Sequence, residues 1–128
     1  MTRILVIDDQ AHVRAAILSV LRAKGFEVVG VGDGTAGLHE FDVAPFGMAI
    51  VDVYLPGVDG VNVIRELRAR SPRLPVIAIS GVMVGESNHT VLDMLPNAAD
   101  LAGVICLRKP FRSAELVKAV DKVLARAA

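Results

Sequence analysis

The sequence predicts an α/β fold, a doubly wound parallel sheet of five strands with helices on both faces. Short apolar runs alternate with segments of helical periodicity, and this alternation requires crossover connections. The runs are rich in Val and Ile and lack polar alternation, as expected of strands that are buried on both faces. The predicted strands are residues 4–7, 27–31, 48–51, 75–80 and 103–107.

Apolar residues at helical spacing predict the helices between and after these strands. Gly25 is a plausible stop for the first helix, and Asp59 is a plausible cap for the third. Pro96 should end a weaker helix predicted between the fourth and fifth strands. The predicted helices lie around residues 13–21, 35–41, 61–70, 86–95 and 113–126.

Composition limits the class of protein. A chain of 128 residues is long enough for one core, so residues 1–128 are expected to form a single domain. Fourteen basic and fourteen acidic side chains balance, so we expect no direct nucleic-acid binding. The apolar runs are too short for membrane insertion. Aspartates interrupt the first apolar run early, so the N-terminus does not resemble a secretory signal. The single cysteine, Cys106, cannot form a disulfide within the chain, which is typical of a cytoplasmic protein.

Chemically reactive side chains follow four of the predicted strands. Asp8 and Asp9 come directly after the first strand, Asp52 after the third, Ser80 ends the fourth, and Lys109 follows the fifth. The carboxyl ends of parallel strands share one edge of the sheet, where ligands bind in such folds. We therefore expect these five side chains to share one pocket.

The three acids need a counter-charge. Two carboxylates about 4 Å apart repel each other by roughly 4 kcal/mol at an effective dielectric constant near 20. Lys109 offsets part of this repulsion, and a hard divalent cation would offset more. Mg²⁺ suits a site with few carboxylates, where it retains several waters. The residues alone therefore predict a Mg²⁺ site.

The ordered motifs "VIDD", "VDVYLPGVDG", "IS" followed by Gly81, and "KPF" resemble the receiver domain of two-component response regulators. The resemblance covers nearly the whole chain and is to chemotaxis-regulator-like, flavodoxin-like proteins. It implies the strand order 2-1-3-4-5. It also implies a phosphoacceptor that switches partner binding and is not itself an enzyme.

By this resemblance, Asp52 accepts a phosphoryl group from a phosphohistidine of a sensor histidine kinase or a histidine phosphotransfer protein. Asp9 and Asp52 would ligate Mg²⁺ directly, Asp8 would do so largely through water, and the backbone carbonyl of Tyr54 would add a ligand. Ser80 and Lys109 would contact the phosphoryl oxygens, which suits a reaction catalysed by positioning and charge neutralisation. The Lys-Pro peptide bond is usually cis in this family.

The chain departs from the family pattern at Cys106, where receivers usually carry an aromatic ring that turns inward as an output signal. We interpret Cys106 as a small buried hydrophobe. The interval from Ser80 to Lys109 is longer than usual, so partner choice is expected to be unusual. Tyr54 and Val82 would shield an acyl phosphate from water, which predicts slow self-dephosphorylation.

Other interpretations stay open. The acids could be ordinary turn and cap residues, and Pro56-Gly57 and Gly60 suit a tight turn. A small Mg²⁺-dependent aspartyl-phosphate phosphatase or phosphotransferase is the alternative function, although such hydrolases commonly place an acid where Tyr54 stands. A flavodoxin-like cofactor binder is disfavoured because the first turn, "DDQAHVR", has no phosphate-cradling glycines.

Several features stay undecided by the sequence. The three histidines share no metal-ligand spacing and are expected at the surface; they are His12, His39 and His89. The chain could be a single-domain regulator, a phosphorelay shuttle or the excised N-terminal domain of a longer response regulator. The downstream protein target is unknown.

Overall fold

The computed structural model describes residues 2–55, 59–80 and 101–127. The elements in chain order are β1 (Arg3–Ile7), α1 (Ala11–Ala23), β2 (Glu27–Val31), α2 (Gly34–Val43), β3 (Met48–Asp52), α3 (Gly60–Arg70), β4 (Val76–Ser80), β5 (Ile105–Arg108) and α4 (Ser113–Ala127). The helix predicted at 86–95 and the Pro56-Gly57 turn lie outside the described residues.

The five strands form one parallel sheet in the order β2-β1-β3-β4-β5, which confirms the predicted fold class and strand order. β2 matches the predicted range, and the other four strands differ from it by one or two residues at their ends. β5 begins at Ile105 because Leu101–Gly103 first form a turn, in which the Val104 N–H donates to the Leu101 carbonyl at 3.2 Å. The sheet thus brings the carboxyl ends of β1, β3, β4 and β5 to one edge.

Each central strand contributes to two apolar layers, because alternate side chains point to opposite faces of a sheet. One layer packs β1, β3 and β4 against α2 and α3, with Leu5, Val51 and Ile64 among its buried residues. The other packs the same strands against α1 and α4, with Ile50 and Leu116 buried in it. Burial on both faces explains why these strands lack polar alternation.

The helices begin and end where the sequence provides the appropriate residues. The Asp33 carboxylate accepts from the Ala36 N–H at 2.7 Å and caps α2. Asp59 accepts from the Val61 N–H at 2.9 Å, so the predicted cap of α3 is confirmed. Gly25 follows α1 with a φ of 91°, which glycine adopts without the strain that a side chain would bring.

Arg68, near the end of α3, donates hydrogen bonds to two segments that lie later in the chain. Its Nε and Nη2 donate to the Leu74 carbonyl at 3.2 and 3.1 Å, and its Nη1 donates to the Ala102 carbonyl. A planar guanidinium can serve several carbonyls at once because it carries five donors in a fixed fork. Arg68 therefore connects α3 to the starts of both β4 and β5.

None of the helices in the ranges described combines the length and the apolar character that crossing a membrane requires.

Gly60 is the first residue of α3 and lies directly against the end of β3. A Cβ at this position would lie 2.2 Å from the Asp52 carbonyl oxygen and 2.4 Å from the Val53 Cα. Its N–H also donates to the Val53 carbonyl at 3.1 Å. The sequence predicts a tight turn at Gly60, whereas the structure shows the start of a helix at which only glycine has enough space.

We expect Gly60→Ala to lower the free energy of unfolding by about 3 kcal/mol, because the added methyl group meets backbone atoms that cannot rotate away. Urea denaturation measures the change. Gly32→Ala is the matched control, since its Cβ would lie 3.4 Å from Arg14 Nη1, which is an ordinary van der Waals contact. The control should stay within about 1 kcal/mol of the parent. Equal losses in the two variants would contradict the proposed steric cause.

Candidate functional site

Three aspartates meet at the carboxyl edge of the sheet. Asp8 and Asp9 follow β1, and Asp52 is the last residue of β3. One carboxylate oxygen from each lies within 4.8 Å of the others. Asp8 and Asp52 are 0% and 3% exposed, whereas Asp9 is exposed to solvent. The structure therefore brings together the three acids for which the sequence predicted a shared pocket.

The Lys109 ammonium lies between the two buried carboxylates. Its Nζ is 3.0 Å from Asp8 Oδ2 and 3.0 Å from Asp52 Oδ2. The Lys109 backbone N–H donates to the Ser80 carbonyl at 2.9 Å, which attaches this loop to the end of β4. The Lys109-Pro110 peptide bond is cis. Lys109 thus reaches acids that stand 57 and 101 positions earlier in the chain.

The titration of this pair reflects both burial and charge. Burial is the strongest influence on Asp52 and raises its pKa, against hydrogen bonds from the Tyr54 N–H and Lys109 that lower it. Burial alone would lower the pKa of Lys109, but its contacts with Asp8 and Asp52 outweigh that effect, and the pKa is raised. At Asp52 the ammonium therefore does not fully offset the effect of burial.

Main-chain groups orient the carboxylates. The Tyr54 N–H donates to Asp52 Oδ1 at 2.9 Å, and the Gln10 N–H donates to Asp8 Oδ1 at 2.9 Å. Asp8 Oδ2 is buried and, among the described residues, has no well-directed hydrogen bond, although Lys109 lies close to it. Each buried acid therefore has one oxygen held by the backbone and one facing the ammonium.

The donor set fits a hard divalent cation. Three carboxylates and one ammonium leave negative charge uncompensated, and a buried carboxylate oxygen lacks a directed partner. Oxygen ligands of this kind are those that Mg²⁺ takes, with waters completing its shell. The residues that face the cluster could therefore hold such an ion.

A cavity of about 570 Å³ opens beside the acids. Its lining includes Asp9, Asp52, Tyr54, Lys109 and Phe111. The volume lies in the range of small-ligand sites, about 300–1,000 Å³. A reactant approaching Asp52 therefore has space on the solvent side of the carboxylate.

Two buried hydroxyl groups lack hydrogen-bond partners in the part of the chain that the structure describes. Ser80, at the end of β4, is 4% exposed, and its Oγ is unpaired. The Tyr54 ring packs against the core layer beneath α2 and α3, and its Oη is also unpaired. Buried polar groups normally have partners, so each of these hydroxyls requires an explanation.

The interpretation of Cys106 as a buried hydrophobe is wrong, because the side chain is exposed. In β5, Leu107 is buried while its neighbours Cys106 and Arg108 are exposed. Alternate side chains of a strand point to opposite faces of the sheet, so Leu107 lies on the face that packs against α4 and Cys106 lies on the other. His12 and His39 are exposed as expected. Gly81, Val82 and His89 lie outside the described residues.

Sequence reasoning missed Gln10 and Arg14. The Gln10 amide oxygen accepts from Lys109 Nζ at 2.7 Å, and Arg14 Nη1 donates to the Asp8 carbonyl at 2.7 Å. Neither contact has a local sequence signal. Arg14 stands among the apolar residues of α1 at a partly buried position, which is the one feature that could have indicated a structural role.

Comparison with known proteins places these motifs in a family. A family model described as the response regulator receiver domain matches residues 4–121. Sensory transduction protein RegX3 of Mycobacterium tuberculosis is 32% identical over 126 residues, which cover 98% of this chain and 52% of RegX3. DNA-binding response regulator MtrA of Mycobacterium leprae is 34% identical over 124 residues, which cover 97% and 52%. The chain spans about half the length of these relatives.

Solved structures show the same fold. A response regulator receiver protein from Sinorhizobium medicae superimposes with a TM-score of 0.84 at 29% identity, covering 99% of this chain and 97% of that one. A CheY-like receiver domain protein from Methanospirillum hungatei gives a TM-score of 0.86 at 20% identity, covering 99% and 96%. The second match concerns the fold alone.

We expect Tyr54→Phe to raise the free energy of unfolding by about 1 kcal/mol, because a buried hydroxyl without a partner costs roughly 1–3 kcal/mol. Ser80→Ala should leave stability unchanged or slightly higher for the same reason. Urea denaturation followed by circular dichroism measures both. Asp59→Ala is the contrasting control and should lose about 1 kcal/mol with the α3 cap. A comparable loss in Tyr54→Phe would show that its hydroxyl is paired.

Proposed function

The chain belongs to the response regulator receiver domain family, and we propose that it is a phosphoacceptor of a two-component or phosphorelay system. In this proposal, Asp52 receives a phosphoryl group from a phosphohistidine of a sensor histidine kinase or a histidine phosphotransfer protein. The modified domain then binds a protein target. One observation carries the proposal: Lys109 Nζ lies 3.0 Å from a carboxylate oxygen of both Asp8 and Asp52, beside an open cavity.

The transfer itself needs few groups. A carboxylate oxygen of Asp52 attacks phosphorus, the P–N bond of the phosphohistidine breaks, and the imidazole leaves with the electron pair. The product is an acyl phosphate on Asp52. Lys109 donates to a phosphoryl oxygen, and so does Ser80, whose buried Oγ has no partner within the described residues. Such transfer depends mainly on positioning and on neutralising charge.

Mg²⁺ fits the acidic cluster. Asp9 and Asp52 would hold the ion directly, Asp8 would do so largely through water, and the backbone carbonyl of Tyr54 would complete the protein ligands. When bound, the ion neutralises charge on the phosphoryl oxygens. Support comes from the three carboxylates within 4.8 Å of one another and from the buried Asp8 Oδ2 that lacks a directed hydrogen bond.

Residues 1–128 are proposed to act as one receiver domain. The unit could work as a single-domain regulator, as a phosphorelay shuttle or as the N-terminal domain of a longer response regulator. The relatives RegX3 and MtrA are about twice its length, and MtrA is described as DNA-binding. The downstream partner of this chain therefore depends on which of these arrangements applies.

The alternative of a small Mg²⁺-dependent aspartyl-phosphate phosphatase or phosphotransferase receives no support from the family match. Such an enzyme would require rapid turnover of the phosphorylated Asp52. Tyr54 occupies the position where these hydrolases commonly place an acid, and its ring packs against the core. We propose instead that self-dephosphorylation is slow.

We expect a small phosphodonor such as acetyl phosphate, with Mg²⁺, to label Asp52 once per chain. Asp52→Asn should abolish the label, because the amide is not a competent nucleophile. Asp59→Asn is the control, since this exposed aspartate caps α3 and lies outside the cluster. Peptide mapping of the phosphorylated protein identifies the residue. Label on another side chain, or sustained phosphate release with many turnovers, would contradict the proposal.

We expect Asp9→Ala to weaken Mg²⁺ binding by roughly tenfold or more, because it removes a directly ligating carboxylate. The chain has one tyrosine and no tryptophan, and that tyrosine lines the cavity, so its fluorescence can follow the titration. Asp121→Ala on α4 makes the same charge change outside the cluster and should leave the affinity unchanged. Equal affinities in Asp9→Ala and the parent protein would place the ion elsewhere.

A further inference from the structure

Gln10 makes a contact that its place at a helix start does not explain. It precedes α1 with an extended backbone, and its side chain makes no capping hydrogen bond. Its amide oxygen instead accepts from Lys109 Nζ at 2.7 Å, across 99 positions of sequence. The contact joins the loop after β1 to the loop after β5, at the lining of the cavity beside Asp52.

The Lys109 ammonium has three contacts of unequal kind. Asp8 Oδ2 and Asp52 Oδ2 each lie 3.0 Å from Nζ and are buried, whereas the Gln10 amide oxygen is neutral and belongs to an exposed residue. Two of the three N–H donors of the ammonium are directed at Gln10 and Asp52, whereas Asp8 Oδ2 lies close by without a well-directed hydrogen bond. A phosphoryl oxygen that approaches from the cavity therefore competes with these three acceptors for the ammonium.

We propose that Gln10 is a positioning residue for phosphoryl transfer, an inference that rests on the proposed function. At rest its amide oxygen holds the Lys109 ammonium between the two carboxylates. During transfer it releases that N–H to a phosphoryl oxygen. The contact with Gln10 is the one to exchange, because its acceptor carries no formal charge and attracts the ammonium less strongly than either carboxylate does.

The benefit of this arrangement is preorganisation. A lysine side chain has many rotamers, and confining it to one costs conformational entropy. Because Lys109 is already confined in the folded protein, that cost does not add to the barrier of the reaction. Gln10 supplies a third anchor that leaves the ammonium aimed at the cavity. An acceptor that carried a full negative charge would hold Lys109 too strongly and repel the incoming phosphoryl group.

The test uses the full chain with three variants at or near this position. Gln10→Met keeps side-chain length and removes the amide oxygen, whereas Gln10→Glu keeps an oxygen acceptor with the same reach. Ser19→Met, further along α1 at an exposed position, controls for the new methionine. Urea denaturation confirms that each variant folds, which is expected because Gln10 is exposed and its backbone N–H to Asp8 is retained.

The first readout is hydrogen exchange of the Lys109 ammonium in metal-free protein. It is measured from lysine side-chain ¹H–¹⁵N correlation spectra, with the Lys109 signal assigned by its loss in Lys109→Arg. Loss of one hydrogen bond should speed exchange by about three- to tenfold in Gln10→Met. Gln10→Glu should restore slow exchange, and Ser19→Met should match the parent. Unchanged exchange in Gln10→Met would overturn the proposed anchoring.

The second readout is the single-turnover rate of Asp52 labelling by acetyl phosphate at saturating Mg²⁺. We expect Gln10→Met to be slower by about three- to tenfold, with Mg²⁺ affinity unchanged. Gln10→Glu should also be slow despite its protected ammonium, because of its charge. Faster exchange with unaltered labelling in Gln10→Met would overturn the role in transfer. Failure of the parent protein to be labelled would instead contradict the proposed function, while the exchange data would still test the Gln10 contact.

Discussion

The ammonium of Lys109 allows two carboxylates from different strands to be buried side by side. Asp8 and Asp52 are almost fully enclosed, and burying a charge is costly unless it is paired and hydrogen-bonded. Lys109 reaches both at 3.0 Å, yet burial still holds the pKa of Asp52 above its usual value. The resting site could therefore accommodate more positive charge. A cation bound beside Asp52 would lower the pKa of its carboxyl group and stabilise the ionised form.

Backbone groups also hold this arrangement. The Tyr54 N–H orients Asp52, the Ser80 carbonyl accepts from the Lys109 N–H, and Gly60 lets α3 begin against the Asp52 carbonyl. Arg14 adds a side-chain contact to the Asp8 carbonyl. Because β1, β3 and β4 are buried on both faces, their ends are fixed by packing that lies away from the chemistry. The site is consequently rigid where it holds the acids and open where a reactant enters.

The sequence predicted what depends on periodicity and missed what depends on contacts between exposed side chains. The buried strands, the Asp59 cap and the meeting of Asp8 with Asp52 all follow from local patterns or from parallel topology. Strand order came from resemblance to a family, since alternation alone permits several orders. Cys106 was misjudged because an apolar run on an edge strand resembles one buried on both faces. The bond from Gln10 to Lys109 joins loops that no local pattern relates.

The two donors proposed for the phosphoryl group, Ser80 and Lys109, differ in the hydrogen bonds that they make in the resting site. Ser80 Oγ is buried without a partner in the described residues, so donating to a new acceptor breaks no existing hydrogen bond and removes an unpaired group. Lys109 already lies against three acceptors, with which a phosphoryl oxygen would have to compete. In this proposal the resting state bears the cost of an unpaired Ser80 hydroxyl, and phosphorylation would remove that cost, whereas Lys109 would exchange one acceptor for another.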